Sequence, residues 1–179
     1  MKMLDSERGQ GFPSRILYIL TILILTLFAV LFVVPGLVVD YWWFESIGYL
    51  QVFMTNLEYQ LLLFFVGSIA TSFFLLLSWR KVKKALKGRF SPLTDKLFKG
   101  FSIVIALVIG WFLSGKYLVV LSFLNQTSWG VADPIFGQDV SFYVFTLPFI
   151  EMILTFAAVI SALVLISSVS AYVAVIITL

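Results

Sequence analysis

The sequence predicts an all-α fold: a polytopic transmembrane helical bundle of four spans, with short interfacial helices in its outer loops. Three observations predict it. Of 179 residues, 61% are hydrophobic and 12% charged, where soluble domains average about 45–50% and about 25%. A folded chain of ~150 residues still leaves roughly a third of its unfolded surface in water, so one core cannot hide this excess. The apolar residues also form four continuous runs, and the basic residues lie almost entirely on one side of them. An ordinary soluble domain, a disordered chain and a nucleic-acid-binding module are thereby excluded. A β-barrel is excluded too, because its strands would alternate rather than run continuously apolar.

A helix needs about 20 mostly apolar residues to cross the hydrocarbon core. The first run, 16–39, carries no charge. Lys2, Arg8 and Arg15 precede it, as they would a secretory signal. It is longer than a signal h-region of roughly 7–15 residues, and it ends in Pro35-Gly36 before Asp40-Tyr41-Trp42-Trp43, so it is expected to be a retained anchor. The second run, 57–79, has Glu58 only at its entrance. The third, 98–121, has Lys99 near one end and Lys116 near the other. The fourth, 149–179, has Glu151 in its first turn. No basic or aromatic anchor follows this run, so the chain is expected to be part of a longer protein.

Orientation follows from Lys and Arg. The segment before the first run holds three, and the loop 80–97 holds Arg80, Lys81, Lys83, Lys84, Lys87, Arg89 and Lys96, with Lys99 just beyond. The connections 40–56 and 122–148 hold none; Asp40, Glu45, Glu58, Asp133, Asp139 and Glu151 lie in or beside them. A cell-membrane protein with a cytoplasmic N-terminus, a cytoplasmic 80–97 loop and extracytoplasmic 40–56 and 122–148 loops is expected. Tyr41, Trp42, Trp43 and Phe44 at the outer end, and Trp79 at the inner end, are placed to sit at the interfaces. The basic loop is read as a topology signal, with an anionic-lipid patch as the lesser alternative. Its use on nucleic acid is rejected, since nothing else in the chain reads bases.

The chemistry available is narrow. With no Cys and no His in the sequence, thiol chemistry, a Ser-His-Asp triad and a zinc site of the usual kind cannot be built. No cofactor is expected. No carboxylate lies near the middle of a run, as coupled carriers usually require. Lys116 either snorkels to the outer interface or pairs with Asp40 or Glu151. Small residues recur four apart: Gly67 and Thr71, Ser68 and Ser72, Gly110 and Ser114, Ala157 and Ser161, Ala158 and Ala162, Ser167 and Ala171. Such spacing lets helix backbones approach closely in lipid.

The outer segment 123–143 is dense in aromatic, Gly and turn residues. Asp133-Pro134 carries the signature of a helix start, with Asp as cap and Pro at the first helical position. Asp139 is placed to cap a second short helix, Val140 to Thr146, before Pro148 opens the fourth span. Asp133, Pro134, Gly137, Asp139 and Pro148 are the candidate structural residues. Asp133 and Asp139, with Asn125 and nearby carbonyls, are also weak candidates for a hard cation such as Ca²⁺. Asn125-Gln126-Thr127 matches a glycosylation acceptor close to the membrane. Trp42 to Met54 is expected to form a short interfacial helix. A structural role for the Asp133 cap predicts that Asp133→Ala lowers folded yield more than Asp95→Ala.

The string Phe123-Leu124-Asn125, then Trp129-Gly130-Val131-Ala132-Asp133-Pro134-Ile135-Phe136-Gly137-Gln138-Asp139-Val140-Ser141-Phe142-Tyr143-Val144-Phe145-Thr146-Leu147-Pro148-Phe149, resembles a hallmark of uncharacterised protein family 0182, large multi-pass membrane proteins of bacteria and archaea. Asp40-Tyr41-Trp42-Trp43-Phe44-Glu45-Ser46-Ile47-Gly48-Tyr49 resembles that family's first outer loop. The resemblance implies a much longer protein, with more transmembrane helices and a large extracytoplasmic region, of which this chain is the N-terminal part. It brings no activity, cofactor or catalytic residue. The expected function is a non-catalytic membrane-anchoring bundle of a larger envelope protein. A transporter or channel component is the alternative, and an envelope enzyme with its active site outside this chain is a third. The expected partners are the lipid bilayer and further helices or an extracytoplasmic domain of the same protein.

Overall fold

The computed structural model describes residues 14–86 and 90–177; for 14–19, 21, 22, 25, 28, 29 and 177 it describes backbone only. Lys87 and Arg89 of the basic loop, and the first two N-terminal basic residues, lie outside the described residues. The elements are α1 (Ser14–Ser46), α2 (Leu50–Ala85), α3 (Pro92–Ser114), α4 (Tyr117–Leu124), a π-helical turn (Phe142–Thr146) and α5 (Leu147–Ile177). The chain divides into two compact units, one up to Phe53 and one from Met54 onward.

In the first unit α1 continues through Pro35 and beyond the expected end at residue 39. In an apolar helix a proline is tolerated where neighbouring groups re-satisfy the freed carbonyl. The helix stops at a Schellman motif. Gly48 takes the left-handed conformation at φ 78, its N–H donates to Glu45 O at 3.1 Å, and Tyr49 N–H donates to Phe44 O at 2.9 Å. A left-handed residue at this position is almost free only for glycine. The expected 40–56 loop therefore shrinks to a turn, and the expected interfacial helix Trp42 to Met54 is replaced by the last turns of α1 and the start of α2. Phe53 is buried and packs edge-on to Tyr41 at 6.0 Å, with Phe44 at 5.9 Å.

In the second unit α2 and α3 cross at glycine. A Cβ placed on Gly67 would lie 3.0 Å from Leu113 Cδ2 and 3.1 Å from Gly110 Cα. Thr71 and Ser68, on the same stretch of α2, are buried. The small-residue spacing in α2 and α3 thus sits at a tight crossing, as close backbone approach in lipid requires. On α5 the story differs: Ala157, Ala158, Ser161 and Ala162 are exposed, whereas Ala171 is buried against Trp79 and Val82 of α2. Ser78 and Ser168 share a hydrogen bond of 2.9 Å between α2 and α5.

Two departures from straight helices shape the end near residue 120. The expected third run is broken at Gly115-Lys116, where Ser114 Oγ donates back to Trp111 O at 2.7 Å and α4 starts anew. Side-chain competition for the backbone and the low helix propensity of glycine both favour a break there. The fourth helix begins earlier than residue 149, through the π turn. Leu147 N–H donates to Phe142 O, five residues back. Pro148 has no N–H, and in a straight helix its ring would strike the carbonyl four residues back. The wider π turn removes that conflict.

Among the described residues three helices are long and apolar enough to cross a membrane: Leu50–Ala85, Pro92–Ser114 and Phe142–Ile176. Their outer faces carry exposed large side chains such as Ile69 (66%), Phe112 (70%) and Leu165 (64%). A monomer in water rarely exposes so much contiguous apolar surface.

Candidate functional site

Two polar clusters and two clefts stand out in the second unit. The first cluster is the loop after α4. Trp129 N–H, Gly130 N–H and Ser141 N–H donate to the Asp139 carboxylate at 3.2, 2.9 and 2.8 Å, and the Ser128 hydroxyl donates at 2.5 Å. Four donors fill the roughly four acceptor positions of a carboxylate. They hold its acid form well below the usual carboxylate range, with Ser128 the largest cause and Ser141 next. Asp139 caps the helical start at Val140 while knotting the preceding loop.

Asp133 behaves otherwise than its sequence signature suggests. Its carboxylate accepts from Phe136 N–H at 2.8 Å, as a cap should, and from Tyr143 Oη at 3.1 Å. The Phe136 amide keeps its carboxyl below the ordinary value. No helix follows, however. Gly137 turns left-handed at φ 67, its N–H bonds back to Asp133 O at 2.8 Å, and Asp133 N–H donates to Gln138 O at 2.7 Å. The result is one closed turn over Pro134-Ile135-Phe136, shut by an antiparallel bridge between Ala132 and Asp139. Glycine three residues after the proline ends what Asp-Pro starts. Ile135 (79%) and Phe136 (74%) stand exposed at the tip.

This geometry gives the candidate cation ligands other work. Both carboxylates face N–H and O–H donors, whose positive ends oppose a cation. Asn125 spends its side-chain amide on Leu121 O at 2.8 Å, capping α4. Among the described residues no three His, Cys, Asp or Glu side chains come together to hold a metal. The loop is tied to the helices by Thr146 Oγ1 on Gln126 Oε1 at 2.8 Å and by Phe123 stacked on Phe149 at 4.0 Å.

The second cluster lies at the basic end and centres on Asp95. Trp79 Nε1 donates to Asp95 at 2.8 Å, Lys99 pairs with it at 2.8 Å and Lys83 at 3.2 Å. Trp79 is buried rather than half wet, stacked on Phe98 at 4.0 Å and 11°. α3 starts beside this cluster, with Ser91 as N-cap accepting from Thr94 N–H at 3.1 Å and Pro92 in the first turn. Sequence reasoning overlooked Asp95. Its signal was one acid in a basic loop, four residues before Lys99, a spacing that favours pairing on a helix. Asp95→Ala is consequently no neutral reference for Asp133→Ala. Arg80, Lys81 and Lys84 are exposed around the same end.

One cleft, of about 510 Å³, runs between α2, α3 and α5 and includes Trp79, Phe98, Ser102 and Ala171. The other, of about 350 Å³, is lined by α3, α4 and α5, with Lys116 and Glu151 among apolar neighbours. Neither cluster presents a free nucleophile beside a base.

The sequence matches the uncharacterised protein family UPF0182 over residues 16–179. A UPF0182 protein of Moorella thermoacetica is 34% identical over 68% of this chain, and the match covers 16% of that relative. One from Salinibacter ruber is 32% identical over 89% of this chain and 19% of the relative. One from Methanospirillum hungatei is 33% identical over 70% of this chain and 14% of the relative. The chain thus spans less than a fifth of the length of these curated relatives. No solved structure matches it. A family match over nearly the whole sequence, together with the shared identity of these relatives, makes the chain a member of UPF0182, an uncharacterised protein family.

Proposed function

We propose that this chain is the N-terminal membrane-anchoring bundle of a larger cell-envelope protein, not itself a catalyst. α1 serves as a fourth span, the basic end faces the cytoplasm, and the 122–148 loop faces outward. The observation that carries the reading is the pairing of helices with exposed apolar faces with basic residues gathered at one end of them. Charge bias of this kind sets orientation in the bilayer. The absence of His and Cys from the sequence and the full occupation of Asp139 by hydrogen bonds support a structural role. The knotted loop, with Ile135 and Phe136 at its tip, is the working surface offered to the rest of the protein.

The sequence has no Cys, which makes single-cysteine labelling clean. In intact cells Ile135→Cys and Asp40→Cys react with a membrane-impermeant maleimide, while Lys84→Cys reacts only after permeabilisation. The reverse pattern overturns the orientation. Opposite behaviour of Asp40→Cys and Ile135→Cys overturns the four-span count.

A further inference from the structure

The cleft between α3, α4 and α5 carries two opposite charges that do not pair. Lys116 and Glu151 line the same cavity of about 350 Å³, yet among the described residues the ion pairs are Lys83–Asp95 and Lys99–Asp95. The remaining lining is apolar apart from Thr155, with Phe112, Leu113, Val119 and Phe156 among it. Ionisable groups beside lipid are costly unless they pair or reach water. Here a cation stands at the helix break before α4 and an anion stands just past the first turn of α5. An occupant of this one cleft that satisfies both must carry an anion and a cation, and an apolar chain for the rest of the lining.

We propose that this cleft binds one phospholipid with a zwitterionic headgroup ending in a primary ammonium, of the phosphatidylethanolamine type. Its phosphate meets Lys116, its ammonium donates to Glu151, and an acyl chain lies along Phe112 and Phe156. Cleft volumes of roughly 300–1,000 Å³ are typical of small-molecule sites. The charge complementarity selects against two other bilayer components. An anionic phosphatidylglycerol headgroup has hydroxyl donors but no cation to set against Glu151, and its net negative charge is repelled there. A phosphatidylcholine headgroup has the right charges but no N–H to give, and hydrogen bonds to charged groups are the stronger kind.

The proposal rests on the membrane reading but on no particular orientation. The test is retention of lipid by the purified full chain, measured by native mass spectrometry after equilibration with equal amounts of phosphatidylethanolamine, its N-methyl and N,N-dimethyl derivatives, phosphatidylcholine and phosphatidylglycerol. Retention is expected to fall stepwise with methylation, about twofold to fivefold from first to last, the range of a partly exposed charged contact. Phosphatidylglycerol is retained no better than phosphatidylcholine. Glu151→Gln flattens the methylation series, and Lys116→Gln lowers retention of every phospholipid, while Lys81→Gln at the basic end changes neither. Equal retention of phosphatidylethanolamine and phosphatidylcholine by the unmodified chain overturns the proposal without any variant having to fold. So does a methylation series that survives Glu151→Gln. Failure here alongside the expected cysteine labelling removes the lipid site and leaves the membrane reading intact.

Discussion

Replacing Gly110 with alanine tests the packing of the bundle at its tightest point. A Cβ there would lie 2.6 Å from the backbone oxygen of Phe64 and 3.1 Å from Ser68 N, and would overlap Ser68 Oγ. The serine hydroxyl can rotate away. The Phe64 carbonyl cannot, because it belongs to the hydrogen-bonded ladder of α2. The helices must therefore part by roughly 1 Å before the methyl reaches ordinary contact at ~3.5 Å. Overpacking costs roughly 1–3 kcal/mol, and a backbone obstacle puts this case near the top of the range. Alanine returns up to about 1 kcal/mol through its helix propensity. The net expectation is a loss of about 2 kcal/mol. Gly100, in the same helix, has nothing within 4 Å of its would-be Cβ, so Gly100→Ala keeps only the gain of up to about 1 kcal/mol. The assay is unfolding in mixed micelles under increasing dodecyl sulfate, followed by circular dichroism. Opposite signs for one substitution at two sites of one helix are the expected result. Equal midpoints for the two variants would refute the close crossing of α2 and α3.

Thr71 is fully buried and its Oγ1 has no hydrogen-bond partner among the described residues, so Thr71→Val is expected to raise the same midpoint, by about 1 kcal/mol of relieved desolvation. Trp79→Ala removes a buried ring stacked on Phe98 and should cost about 3–5 kcal/mol, whereas Trp79→Phe keeps the stack, loses only the bond to Asp95, and should cost about 1 kcal/mol. Both are read in the same unfolding assay. For the loop, the Asp139 carboxyl is held below its usual value in the folded state. Its contribution is therefore complete above the unfolded value near 4 and is lost as the pH falls further. A fluorophore on Ile135→Cys should report a rigid loop from pH 7 to about 4 and loosening below, with Asp139→Asn mobile throughout.

Helices were the readable part of the sequence, because continuous apolar runs of about 20 residues cannot be taken for alternating strands. Their ends were harder, and each miss has a local cause. Gly48 supports a Schellman stop that replaces an expected loop by a three-residue connection. Ser91-Pro92 and Asp133-Pro134 carry the same start signal, but only the first opens a helix, because Gly137 closes the second within one turn. Pro148 was expected to open a helix and instead lies within one, admitted by the π turn. Asp139 was visible as a cap, while its grip on Ser128, Trp129 and Gly130 was not, since those contacts depend on how a ten-residue loop folds back. Asp95 reads as a neutral reference in the sequence because two of its partners, Trp79 and Lys83, sit on another helix.

The π turn amounts to a single extra residue accommodated within a helical coil. At 3.6 residues per turn, one additional residue swings everything after it by about 100° around the axis. Phe149 stands over Phe123, and Glu151 shares a cleft with Lys116, because of that offset. Deleting one residue between Phe142 and Thr146 would restore an even winding, rotating Phe149 off Phe123 and Glu151 out of the cleft it shares with Lys116. The placement of an acid in the same cleft as Lys116 is thus set by a proline three positions earlier.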